Sequence, residues 1–174
     1  MIDLTESGDF DIRYTYGADY NAILALIKEQ SVDLAVSSSR DMENFARNWT
    51  YMGKYKASLT LLYKGLSIGF AALFLMPYKK TKHLCQGYIL IEKQYRNQGI
   101  EMRAIKNLSH LAEHSFDLST LHFKEFDGCF LSPFLEQSGY KLLYRQEKYV
   151  KVDGQYRGRS VYERKFDIKK GALK

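Results

Sequence analysis

Between His83 and Phe126 the chain reads as strand, polar loop, amphipathic helix and strand, and this order limits the fold more than any other feature of the sequence. His83 to Glu92 has a strand pattern, and Tyr95-Arg96-Asn97-Gln98-Gly99-Ile100 is polar with one glycine. Ile105, Leu108 and Ala112 then share one helical face before Ser119 to Phe126 extends again. Strands joined in this way through a helix run parallel, with a right-handed crossover. The remaining strands favour antiparallel pairing. Ala57 to Tyr63 and Leu66 to Met76 flank the tight turn Lys64-Gly65, and Lys141 to Val152 and Ser160 to Phe166 stand around Asp153-Gly154 and Gly158.

The other segments complete a mixed α/β fold of the α+β kind. Asp11 to Tyr16 alternates as a half-buried strand ended by Gly17. Tyr20, Ile23, Leu24 and Ile27 recur at helical spacing behind Asp19, the expected N-cap. The serine run Ser37 to Ser39 opens a second helix carrying Met42, Phe45, Ala46 and Trp49, and Leu131 to Gln137 is a short helix stopped by Ser138-Gly139. The expectation is one domain over 1–174, with its core over about 11–166, short flexible tails, and a mostly antiparallel sheet flanked by about four helices.

At 174 residues, 45% hydrophobic and 26% charged, the chain is one ordinary folded domain and not a disordered one. Its cysteines, Cys85 and Cys129, form no CxxC pair, which points to a reducing compartment. Met1 to Glu6 is acidic where a secretory signal is basic, and the longest apolar run, Leu66 to Met76, is 11 residues long. A soluble cytoplasmic protein with no membrane contact is expected. The net charge of +6 favours an anionic partner without choosing among nucleotide, nucleic acid and acidic surface. Tyr78-Lys79-Lys80-Thr81-Lys82 is the basic-aromatic cluster that a nucleic acid could use, though a solvated loop is the plainer account. His110 and His114 stand at i, i+4 but outside a His-Glu-x-x-His pattern and with no evident third ligand, so no metal is expected.

A glycine-bearing loop that runs into a helix gathers free backbone N–H groups at the positive end of the helix dipole and suits a phosphate. Arg96 adds a fixed charge there. Arg96-Asn97-Gln98-Gly99-Ile100-Glu101 resembles the Gln/Arg-x-x-Gly-x-Gly/Ala loop of the GNAT superfamily of acyl-CoA N-acyltransferases. Ile89 to Tyr95 is similar to that family's strand and approach, Phe134-Leu135-Glu136-Gln137-Ser138-Gly139-Tyr140 to its late Phe-Tyr-Glu-x-x-Gly-Phe segment, and Val152 to Tyr156 to its last turn. The likeness spans about Asp11 to Phe166.

The resemblance implies that the parallel strands splay apart to admit acetyl-CoA. Backbone groups of Ile89 and Ile91 would bind its pantetheine arm, and Arg96 and the loop Asn97, Gln98, Gly99, Ile100 and Glu101 its pyrophosphate. Two positions depart from the motif. Glu101 replaces a glycine or alanine and would compete with phosphates for the same donors, and Leu135 stands where many members carry the tyrosine that protonates the departing thiolate. Acyl transfer to an amine still needs a proton acceptor and an oxyanion donor. A backbone amide at Ile89 could serve the oxyanion. His83 and Cys85 on the strand before the loop, and Glu125 on its neighbour, are the catalytic candidates, with water able to relay the proton. Cys129, Ser132 and Tyr140 lie near the missing acid, and none is assigned.

The expected activity is direct acetyl transfer from acetyl-CoA to the primary amine of a small molecule or protein, with the acceptor entering between the loop Ser31 to Arg40 and the turn Asp153 to Arg159. A catalytically impaired CoA-binding module and a basic nucleic-acid-binding domain are the alternatives. Acetyl-CoA and an amine are the expected partners, a second copy of the chain remains open, and nucleic acid is not expected.

Overall fold

The computed structural model describes residues 3–167. Seven strands form one sheet: β1 (Phe10–Tyr14), β2 (Ser58–Tyr63), β3 (Leu66–Leu75), β4 (Leu84–Ile91), β5 (Thr120–Phe126), β6 (Lys141–Val152) and β7 (Gln155–Lys165). Their spatial order is β1-β2-β3-β4-β5-β7-β6, and every neighbouring pair is antiparallel except β4 with β5. The helices are α1 (Tyr20–Glu29), α2 (Ser31–Leu34), α3 (Ser39–Lys54), α4 (Ile100–His114) and α5 (Ser132–Gln137). The count is five because the expected loop Ser31 to Arg40 begins with the one-turn α2.

Alternation along the central strands divides the interior into two cores. Phe70 of β3 and Leu90 of β4 meet Ile23 and Ile27 of α1 and Trp49 of α3 on one face. Ala71, Leu73, Ile89 and Ile91 point the other way, toward Ile105 and Leu108 of α4 and Leu135 of α5. This double coverage explains why β3 is an almost unbroken apolar run. Many of the aromatic side chains are accounted for as packing: Phe45, Trp49, Phe74 and Tyr88 form one cluster with ring centroids 4.8–6.2 Å apart.

Asp19 occupies the N-cap position of α1 as expected, but its carboxylate makes no capping bond to that helix. Instead it accepts two 2.8 Å bonds from the Arg13 guanidinium, one from the Tyr16 amide and one from the Thr60 hydroxyl. A fixed guanidinium outcompetes backbone amides for a carboxylate because both of its donors are charge-assisted and matched in geometry. Nor do residues 3–10 form a loose tail: Leu4–Glu6 is a 3-10 turn whose Leu4 amide donates to the Gln98 carbonyl at 3.0 Å, and Phe10 begins β1. Residues 168–174, most of the tail expected after 166, lie outside the described residues.

Gly87 stands where β4 and β5 begin to separate. A Cβ built there would lie 2.5 Å from Cζ of Phe123, a fully buried ring of the α4-side core. Gly87→Ala is therefore expected to destabilise the fold by about 1–3 kcal/mol through overpacking. Chemical denaturation with an unchanged midpoint would show that the ring moves aside freely.

Candidate functional site

The β4–β5 ladder is short. Leu84, Cys85 and Gln86 pair with Thr120, Leu121 and His122, and no pairing continues from Gly87 to Ile91 or from Phe123 to Phe126. The strands diverge toward their C-terminal ends, and both lead into the loops before α4 and α5. The Glu92 amide donates to the Ile68 carbonyl at 3.0 Å, so by antiparallel alternation Leu90 and Tyr88 turn their backbone groups to β3. Ile89 and Ile91 consequently face the gap. The Ile91 carbonyl is already engaged, accepting from Gln30 Nε2 and Arg96 Nε at 3.1 Å each. Ile89 has no β5 residue opposite it in the ladder.

A cavity of about 270 Å³ fills the opening. Glu125 is its one fully enclosed acid, with 8% of its surface exposed. Its Oε2 accepts the Cys129 thiol at 2.7 Å. Burial pushes the Glu125 carboxyl up to about 7, against the lowering effect of that thiol bond and with a smaller raising effect from Asp33. Burial, with the neighbouring Glu125 charge next, also pushes the Cys129 thiol up, so it remains protonated at neutral pH.

The other two catalytic candidates lie elsewhere. His83 is an exposed residue before β4, at the zipped end of the parallel pair, where its carbonyl accepts from the Ser119 and Thr120 amides. Six residues of strand, roughly 20 Å, separate it from Ile89. Cys85 is fully buried in the α4-side core, and burial pushes its thiol up to about 12. It is a core residue without access to the gap. Tyr140 is likewise buried, its hydroxyl bonded to Ser109 at 2.7 Å. The exposed Tyr78 belongs to the loop between β3 and β4, away from the cavity.

Glu125 also ties stability to pH. Its folded-state value lies above that of the unfolded chain, so its contribution is complete below about pH 4.5 and is lost as pH climbs to about 7. At about 1.4 kcal/mol per pH unit between those two values, the loss is on the order of 3 kcal/mol. Glu125→Gln is expected to remove that slope, which thermal melting of both proteins between pH 5 and 8 measures. Parallel pH profiles would contradict it.

The loop before α4 has the geometry of an anion nest: Asn97 (φ 60°) and Gly99 (φ 84°) are left-handed on either side of Gln98. Among the described residues, the amides of Gln98, Gly99, Ile100 and Glu101 have no hydrogen-bond partner. The Asn97 amide does have one. It donates to Glu101 Oε1 at 2.6 Å, while Glu101 is fully buried and its Oε2 has no partner. Arg96 folds back over Phe130, 3.8 Å from the ring centroid, and its Nη2 is buried and also unpartnered.

The Asp3 carboxylate adds a second negative group, so near Gly99 that a Cβ there would lie 2.2 Å from its Oδ1. Beyond Gly99 a groove of about 450 Å³ runs along α4 past Arg103 and Lys106. Four free amides fit a diphosphate, with Glu101 as a built-in competitor, whereas the Arg96 guanidinium is seated over Phe130 with its Nε on the Ile91 carbonyl. The sequence motif exposes Glu101. Nothing local announces Asp3, Gln30 or the inward turn of Arg96, which come from distant segments or from side-chain direction.

By sequence the chain matches no family model and no curated protein. By structure it is similar over nearly its full length to acetyltransferases. It shares 11% identity with yncA from Salmonella typhimurium, solved with its cofactor acetyl-CoA, at a TM-score of 0.82 over 92% of this chain and 95% of that one. A ribosomal-protein-alanine N-acetyltransferase from Brucella melitensis aligns at TM-score 0.79 and 16% identity over 90% and 99% of the two chains. A GNAT-family acetyltransferase from Streptococcus pneumoniae gives 0.73 and 17% over 90% and 99%. The chain has the GNAT fold, as the loop motif and element order led one to expect.

Proposed function

We propose that this protein is an acetyl-CoA-dependent N-acetyltransferase that passes the acetyl group directly to a primary amine. The observation that carries the reading is the unpaired gap between β4 and β5 with buried Glu125 in its wall. Acetyl-CoA would supply an activated acetyl carbon. The free amides of Gln98, Gly99, Ile100 and Glu101 would hold its diphosphate, joined by Arg96 only once its guanidinium leaves Phe130 and the Ile91 carbonyl, and Arg103 and Lys106 would meet the nucleotide end. Ile89 and Ile91 would bind the pantetheine arm, the Ile91 carbonyl doing so only after exchanging a side-chain partner.

Glu125 is the base. A protonated amine has no lone pair, and a carboxylate poised near neutral pH can take its proton without being permanently charged in a dry cavity. The Cys129 hydrogen bond fixes the carboxylate's direction. Because that thiol stays protonated, it is a poor nucleophile, which favours direct transfer over an acyl-cysteine route. Leu135 is buried in the core and carries no acidic proton. In this reading the proton that Glu125 takes from the amine is the one passed to the sulfur as the C–S bond breaks, and Glu125 then takes up the second proton released by the acylated nitrogen.

Two free cysteines support a reducing, cytoplasmic setting, and no helix among the described residues is long and apolar enough to cross a membrane. Titration calorimetry with acetyl-CoA, paired with thiol release over a panel of amines, tests the reading. Absence of binding at millimolar acetyl-CoA would sink it. Glu101 in the phosphate loop favours a second reading, a CoA-binding module without turnover, and binding with no thiol release from any amine would establish that instead.

A further inference from the structure

We propose that the acceptor carries, besides its amine, an anionic oxyacid group that docks between Lys124 and Arg159. The amine half rests on the transferase reading, and the anion half rests on the cavity itself. Lys124 and Phe126 alternate onto the same face of β5, and Arg159 is the cross-strand partner of Phe126. Both cations therefore reach the cavity from the α1–α2 side, opposite the direction of Glu125, and both line it. An acceptor spanning the gap would present one end to each.

The Arg159 guanidinium is held as a platform. It lies 3.8 Å from the Tyr149 ring centroid, and Tyr149 stacks on Phe126 at 6.0 Å and 28°. Its Nη2 donates to Gln146 Oε1, while its Nε is buried with no partner. Among the described residues neither Lys124 nor Arg159 has an ion-pair partner, whereas nearby Arg157 pairs with Asp33 at 3.2 Å and Arg145 with Asp127 at 3.0 Å. Asp33, the other carboxylate at this wall, is thus already engaged. Two unmatched cations on one small cavity repel each other. Burial, and then the charge of Arg159, holds the Lys124 ammonium below its ordinary value. A carboxylate or phosphate between them relieves that repulsion and meets the orphaned Nε, in the planar geometry that arginine recognises.

The test compares four amines of similar length by calorimetry: 4-aminobutyrate, 3-aminopropylphosphonate, 4-aminobutyramide and 1,4-diaminobutane. The acids are expected to bind wild type at least about tenfold more tightly than the amide or the diamine. That preference should fall about tenfold in Arg159→Gln and in Lys124→Gln and be only partly kept in Arg159→Lys, which retains the charge but loses the stacked planar fork. Unchanged thermal melting of all three variants separates binding from folding. A stronger phosphonate would point to phosphorylated acceptors, and a stronger carboxylate to amino acids. Equal binding of acids and amide, a preference that survives both glutamine substitutions, or no binding of any probe at millimolar concentration would overturn the inference. Thiol release is followed in parallel with acetyl-CoA. Acid-selective binding without release removes the transferase reading alone, and release without acid preference removes the anion site alone.

Discussion

Glu125→Gln is expected to reduce amine-dependent thiol release by about 10²–10⁴-fold in kcat, the usual contribution of a positioned general base. Glutamine keeps the shape of the side chain and can still meet the Cys129 thiol, but it cannot accept a proton. The affinity for acetyl-CoA should not change, because the diphosphate loop and Ile89 are untouched. The pH profile provides the sharper readout. Wild-type activity should rise through about pH 7 as the buried carboxyl ionises, since only the carboxylate is a base. The residual activity of the variant should lack that step. A variant with wild-type turnover, or a wild-type profile flat from pH 5 to 8, would remove Glu125 from the chemistry and leave water as the proton acceptor.

Glu101→Ala should tighten CoA binding by roughly 10–100-fold. The estimate follows from the about 1.5–3 kcal/mol carried by a hydrogen bond to a charged group. In the native chain the Asn97 amide is committed to Glu101 Oε1 at 2.6 Å, and a diphosphate must either displace that carboxylate or bind beside it. Alanine releases the amide and removes a like charge from the first turn of α4, where the helix dipole then acts on the phosphates alone. Calorimetry of wild type and variant at two salt concentrations separates the terms, because the charge contribution shrinks as salt rises. Weaker binding by the variant would show that the buried carboxylate holds the loop in its anion-binding shape, a role its fully buried position also permits.

The elements of the fold were readable because periodicity and turn chemistry are local. The hairpin at Lys64-Gly65, the crossover through α4 and the stop after Gln137 each follow from residues within a few positions. Asp19 shows the limit of that reading: as a cap it satisfies a local rule, yet Arg13, from another element, offers a stronger partner. The site was legible only in part. Glu125, which lines the cavity, and the left-handed loop could be named, but alternation alone could not separate His83 and Cys85 from the end of β4 that borders the gap. That separation depends on where β4–β5 pairing stops, a register set by the whole sheet.

The amino-acid order by itself determined the sequence of strands and helices apart from the one-turn α2, the parallel crossover and the glycine-bearing helix entry, since each is written in short-range spacing. Tertiary structure alone decided that β7 lies between β5 and β6, that Glu125 is enclosed beside Cys129, and that Asp3 and Gln30 reach the loop and gap. These are contacts between residues far apart in the chain. Their energies come from burial and charge pairing that exist only once the sheet has assembled, so no local pattern could encode them.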